Sequence, residues 1–232
     1  MDSIAEYLIK IDDFPKLLTT LLKEKVVDKI LGAATKIDKK TNVEDRFTVQ
    51  PQVFEKVDDI TSFPLTNLIA YGYARTDSAS KYLHKTLQGA LNEKIGLIAR
   101  PCDTRGLIEL AKIRQVNLDN LFIIAFEDRG MVINVSREMR NFPDIDKTKV
   151  VKEKIGDKGL TFKMEDGSVK DIQLNIAENC SRCTRKIPVV ADLGLNDLIM
   201  PIDSDEIVLK VYSDKGNDLV EKSKIDKKPL PD

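Results

Sequence analysis

The sequence predicts an α/β protein: a parallel or mixed sheet core with flanking helices and a smaller β-rich C-terminal segment. Two observations carry this expectation. Ile95 to Ala99 and Leu121 to Phe126 are short unbroken apolar runs of the kind a strand buried on both faces requires, and between them Leu107, Leu110 and Ala111 recur at helical spacing. After Asn141-Phe142-Pro143 the chain turns to lysine-rich alternation, and Glu165-Asp166-Gly167-Ser168 lies between two strand-like runs as a hairpin signal. The expected division is an α/β core over residues 1–144 and, over 145–232, a β-rich segment with a polar tail.

From the N-terminus, Ile4, Tyr7 and Leu8 and then Leu17, Leu18, Leu21 and Leu22 fall at helical spacing, with Asp13 as a cap before Pro15, so residues 1–25 are expected to be helical. Val26 to Ala34 reads as a buried strand, Asp38 to Asp45 as a charged loop, and Phe47 to Val53 and Asn67 to Tyr73 as short β-like runs. Ser80 to Asn92 returns to a helix pattern through Leu83, Leu87 and Leu91. Then comes the strand-helix-strand unit, with Asp103 expected to cap its helix. A crossover of this kind makes its strands parallel and right-handed, which puts their carboxyl ends on one edge of the sheet. Cys102 lies just past the first strand and Asp128 just past the second, on the edge where open α/β sheets place their ligands. Leu160 to Met164, Val169 to Leu174 and Asp205 to Tyr212 read as further strands, Asp218 to Lys224 as a short helix, and Lys224 to Asp232 as the tail.

Composition narrows the function. With 37 Lys+Arg against 38 Asp+Glu the net charge is −1, which argues against a nucleic-acid binder held by phosphate contacts. No apolar run approaches the ~20 residues of a membrane span, and the acidic N-terminal stretch lacks a basic signal region, so a cytoplasmic protein without a membrane span is expected. The single histidine, His84, excludes two-histidine metal sites, and neither familiar glycine loop for nucleotides is present.

The three cysteines are too few for a disulfide framework, so their placement matters more. Cys180 and Cys183 form a C-x-x-C, at which one turn brings two sulfurs together; this spacing suits a metal or cluster, a dithiol redox pair or half a zinc knuckle. Cys102 is either a small buried hydrophobe at a strand end or a thiolate at a helix N-terminus, where the dipole, Arg100 and Arg105 favour an anionic ligand. Tyr73, Arg75, Thr76, Ser78, Ser80 and Lys81 form a polar segment leading into a helix, suited either to a pyrophosphate or to an ordinary cap.

Several of these residues occur in a particular order: Val27-Asp28-Lys29-Ile30, Ser80-Lys81-Tyr82, Ile95 through Gly106 with its Arg100-Pro101-Cys102-Asp103 core, Asp119-Asn120-Leu121-Phe122-Ile123-Ile124, Asn179-Cys180-x-x-Cys183 and Ala191-Asp192. Together they resemble the β subunit family of coenzyme F420-reducing hydrogenases and F420-linked formate dehydrogenases. The resemblance implies an iron–sulfur flavoprotein in which a [4Fe-4S] cluster exchanges electrons with FAD, and FAD exchanges a hydride with coenzyme F420. It implies Cys102, Cys180 and Cys183 as cluster ligands, with Asp128 standing where relatives often carry a further cysteine. Arg75, Ser78, Ser80, Lys81, Tyr82 and Arg105 would then contribute to a flavin or deazaflavin pocket. The N-terminal ferredoxin-like cysteine cluster of many relatives is lacking, so the resemblance implies either a single-cluster protein or one that depends on other redox subunits as partners for the remaining relay. The contrasting expectation is a non-catalytic subunit of a redox complex, zinc-bound or metal-free.

Overall fold

In a computed structural model, residues 2–37, 44–61, 78–127, 130–132, 135–156, 159–196 and 200–230 are described. Along the chain the elements are β1 (Ala5–Lys10), α1 (Phe14–Lys23), β2 (Lys29–Ile37), β3 (Glu44–Phe54), α2 (Val57–Thr61), α3 (Ala79–Thr86), β4 (Ile95–Ala99), α4 (Pro101–Lys112), β5 (Leu121–Phe126) and α5 (Val135–Glu138). They continue with β6 (Val150–Gly156), β7 (Gly159–Met164), β8 (Val169–Gln173), α6 (Glu178–Ser181), β9 (Leu193–Asn196), β10 (Glu206–Val211), α7 (Asp214–Ser223) and β11 (Lys227–Pro229). Eight strands form one mixed sheet in the order β11-β1-β10-β9-β5-β4-β2-β3, and β6-β7-β8 form a separate antiparallel sheet. The large sheet takes strands from both sides of residue 144.

The centre of the large sheet is parallel. Ile95 pairs with Leu121 and Ala99 with Ala125, while β5 runs parallel to β9 through Ile124 and Leu193. Both faces of β5 are covered, which is why its sequence is apolar without alternation. Phe122, Ile124 and Phe126 pack with α1 residues Phe14, Leu17, Leu18 and Leu21 and with Leu160 and Phe162 of the small sheet. Leu121, Ile123 and Ala125 share the other face with Leu83 of α3 and Leu107 of α4. Within the first layer the Phe14 and Phe126 rings meet edge to face at 6.3 Å.

Three sequence expectations are corrected. The N-terminal helix begins only at Phe14; residues 5–10 are a strand between β10 and β11, with Ile9 buried against Ile207 and Leu209. Over so short a run the helical and strand periods are indistinguishable, and partners two hundred residues away decide. The polar tail holds β11, whose edge is blunted by Pro229 and by lysines, with Lys228 pairing with Glu206 at 2.8 Å. The first parallel strand starts at Lys29 rather than Val26, because α1 runs into a turn in which Val26 and Val27 amides bond back to the Leu21 carbonyl. The run Asn67 to Tyr73 lies outside the described residues. Among those described, no helix is long and apolar enough to cross a membrane.

Candidate cluster and cofactor site

The parallel register places the ends of β4 and β5 side by side, and the chain leaves both on the same edge. After β4, Arg100 stays extended (φ −91°, ψ 162°) and Pro101 opens α4, so Cys102 lies in the first helical turn, where its side chain is exposed. Asp103 caps the helix as expected, though from its third position and not as the N-cap residue. It sits three residues inside the N-cap Arg100 and reaches back, one carboxylate oxygen accepting from the Arg100 N–H at 3.0 Å and the other from the Ala79 N–H at 2.8 Å. After β5, the Glu127 N–H donates to the Leu195 carbonyl at 2.9 Å and holds the chain on β9.

The C-x-x-C is carried by α6 and the turn that follows it. The Cys180 N–H donates to Ala177 at 2.8 Å and the Cys183 N–H to Cys180 at 3.2 Å, which sets both cysteines on one turn. Each end of this turn is held by the chain that follows one of the two strands. On the β5 side the Ala177 N–H donates to the Met131 carbonyl at 2.7 Å and Val132 bridges Ile176. Gly130 there has φ +125°, and a Cβ on it would stand 2.6 Å from Cys180 Cβ and 3.5 Å from Cys180 Sγ, so only glycine allows the backbone to lie against this cysteine. On the β4 side, α4 grips the segment beyond Cys183. The Thr104 hydroxyl accepts the Val189 N–H at 3.2 Å, Arg105 Nη1 donates to the Arg185 carbonyl at 3.2 Å, and Arg105 Nη2 lies 3.8 Å from Cys183 Sγ. Lys186 Nζ donates to the Cys180 carbonyl at 2.5 Å.

The surroundings of Cys183 are cationic. A backbone hydrogen bond at Arg185, then the Arg105 charge and hydrogen bond and the nearby Lys186, hold its thiol below the ordinary value. Among the described residues no three His, Cys, Asp or Glu side chains stand together as a metal-holding group. The donor set nevertheless suits a thiolate-bound cluster in kind: sulfur donors on two segments bound to each other, a glycine cradle behind one and a guanidinium beside another.

Other expected site residues fall in different places. Arg75 and Asp128 lie outside the described residues. Ser78 is the N-cap of α3, accepting the Lys81 N–H at 3.2 Å, and its hydroxyl also meets that of Ser80 at 3.1 Å. Ser80 is buried against Gly106 of α4, where a Cβ would come within 2.7 Å of its Oγ. Lys81 is exposed and Tyr82 half-buried on the same helix. Asp192 of the Ala191-Asp192 pair serves the fold: its carboxylate accepts the Ile123 N–H at 2.8 Å and the Ser213 hydroxyl at 2.6 Å, binding β5 to the cap of α7. Glu127, beside Asp128 in sequence, is buried and held by Asn196 Nδ2 at 2.6 Å, Lys210 Nζ at 2.8 Å and the Tyr212 hydroxyl at 3.3 Å.

Sequence reasoning missed Thr104 and Gly130. Thr104 sat unremarked inside the Cys102–Gly106 run, and Gly130 carried the one usable signal, a lone glycine shortly after a buried strand.

Residues 92–229 match the family described as the C terminus of the coenzyme F420 hydrogenase/dehydrogenase beta subunit. The chain belongs to this family. Among its relatives is the F420-dependent formate dehydrogenase 1 subunit beta of Methanococcus maripaludis, 33% identical over 145 residues, which are 57% of this chain and 38% of the relative. Another is the F420-dependent formate dehydrogenase subunit beta of Methanocaldococcus jannaschii, 29% identical over 145 residues, 58% of this chain and 38% of the relative. The match thus spans well under half the length of these relatives. The fold is similar to that of a chain in the F420-reducing [NiFe] hydrogenase complex of Methanosarcina barkeri, with a TM-score of 0.70 at 13% identity, covering 98% of this chain and 82% of that one. The family match includes Cys102, Cys180, Cys183, Thr104, Arg105 and Gly130, so the whole gripped turn lies inside the family region.

Proposed function

We propose that the chain is an iron–sulfur subunit that passes electrons between a [4Fe-4S] cluster and FAD or coenzyme F420 within a larger hydrogenase, formate dehydrogenase or heterodisulfide-reductase-like complex. Cys102, Cys180 and Cys183 are the proposed thiolate ligands and Asp128 the proposed fourth. The observation that carries this proposal is the double grip on the C-x-x-C turn, by the chain after β5 at Cys180 and by Thr104 and Arg105 of α4 at Cys183. It ties the C-x-x-C to the helix whose first turn bears Cys102 and to the chain that carries Asp128.

A bound cluster supplies one-electron storage, and a flavin converts that to hydride chemistry. The protein's part is to hold and to bias. Three thiolates bring negative charge to this edge, and the N-terminus of α4, Arg105 and Lys186 offset it. On the flavin side, Arg75, Lys81 and Tyr82 are the proposed contacts of the segment around α3, while the Ser78 and Ser80 hydroxyls are already engaged within the protein. The relatives are named as β subunits and the similar fold occurs in a hydrogenase complex, which supports partner redox subunits for this chain as well.

The test is the absorbance spectrum of anaerobically purified protein. Broad iron–sulfur absorption, with flavin bands after incubation with FAD, is expected. A colourless protein carrying one zinc would replace the proposal with a structural subunit.

A further inference from the structure

We infer that Arg105 is a positioning residue of the cysteine site: its single guanidinium bridges Cys183 and the Arg185 carbonyl, fixing the second thiolate of the C-x-x-C beside the helix that bears Cys102 and setting the electron affinity of what that thiolate binds. This role presupposes the cluster proposed above.

The geometry is specific to arginine. Nη1 donates to the Arg185 carbonyl at 3.2 Å while Nη2 points at Cys183 Sγ at 3.8 Å, so two nitrogens of one planar fork hold two points of the turn. A lysine ammonium would keep the charge yet lose the fork. Thr104, the preceding residue, completes the hold from the same helix: it accepts the Val189 N–H at 3.2 Å and donates to the Pro101 carbonyl at 2.9 Å, so that α4 fastens the segment at both 183–185 and 189. Arg105 stands three positions after Cys102, on the same helical face, so the clamp and the third cysteine share one side of α4.

The electrostatic consequence follows from the same contact. An N–H directed at a ligating sulfur stabilises the reduced, more negative form of a cluster and raises its potential. Arg105, assigned by resemblance to a flavin pocket, is directed to sulfur in the structure.

Arg105→Gln and Arg105→Lys in the full chain, purified anaerobically, test this with two readouts that do not depend on turnover. One is the midpoint potential from an EPR-monitored redox titration, with iron counted per chain. The other is amide hydrogen exchange over residues 183–189 in metal-free protein. Arg105→Gln is expected to retain iron, to shift the midpoint to more negative potential and to exchange several-fold faster over 183–189; Arg105→Lys is expected to recover part of the potential shift and none of the exchange protection. Iron-loaded Arg105→Gln with the wild-type potential overturns the inference. A wild-type chain that takes up no iron instead overturns the cluster proposal, a different and separately visible result.

Discussion

The Asp103 carboxylate accepts the Ala79 amide at 2.8 Å from 24 positions away in sequence. Because its other oxygen accepts the Arg100 amide at 3.0 Å, one side chain that is 1% exposed joins the start of α3 to the cysteine-bearing turn of α4. The two regions that the sequence singled out for cofactor and cluster are thereby held as one unit.

Removing that carboxylate leaves two buried N–H donors without an acceptor. Asp103→Ala is expected to lower the unfolding free energy by about 3 kcal/mol, whereas Asp103→Asn, which keeps one acceptor, should lose less than half of that. Urea denaturation of the two variants checks it, and an alanine variant as stable as wild type would contradict the geometry.

Asp192 makes a different prediction, because its two oxygens are engaged by the Ile123 amide and the Ser213 hydroxyl. Asp192→Ala should cost about 2–3 kcal/mol of stability while iron bound per folded chain stays at the wild-type level. A variant of unchanged stability that lost iron would make Asp192 a ligand rather than a strut.

These two aspartates show how far the sequence could be read. The strands β4 and β5 were legible to the residue, since burial on both faces leaves an uninterrupted apolar run, here closed off by Lys94 and Arg100 around one strand and by Asn120 and Glu127 around the other. The hairpin at Gly167 was legible from its turn residues. What stayed hidden depends on distant partners: β1 becomes a strand only between β10 and β11, and β11 only against β1, and no local period reports that. Cys102, Cys180 and Cys183 could be singled out by residue type, but the parts played by Thr104, Arg105 and Gly130 are contacts across the fold that no spacing in the sequence encodes.

Gly130 is the most sensitive of these. With φ at +125° and Cys180 Cβ 2.6 Å from where a methyl group would sit, Gly130→Ala must shift either the chain after β5 or the C-x-x-C turn. The expected result is a folded protein by circular dichroism that binds several-fold less iron than wild type. Full iron loading in this variant would detach Gly130 from the site.

Tyr212 gives the pH prediction. Burial first, and then the Glu127 carboxylate that its hydroxyl meets at 3.3 Å, push the phenol well above its ordinary value of 10.0. The folded chain therefore keeps a proton that the unfolded chain releases, so the stabilisation is complete below about pH 10 and is lost as pH rises from there toward the folded value. Tyr212→Phe lacks this proton and should be less stable than wild type near about pH 8, with the gap narrowing by about pH 11. Urea midpoints at the two values test it, and a gap that stays constant would contradict the assignment.

One iron–sulfur cluster, held on cysteines from α4 and from the C-x-x-C turn, is what we propose for this chain. Iron and acid-labile sulfide, assayed on the same anaerobically purified sample of wild type and of the Cys102→Ser and Cys183→Ser variants, address it most directly. About four iron and four sulfide per wild-type chain, with a large loss in each variant, is the predicted result. A wild-type chain with one zinc and no sulfide, or with no metal, would contradict it.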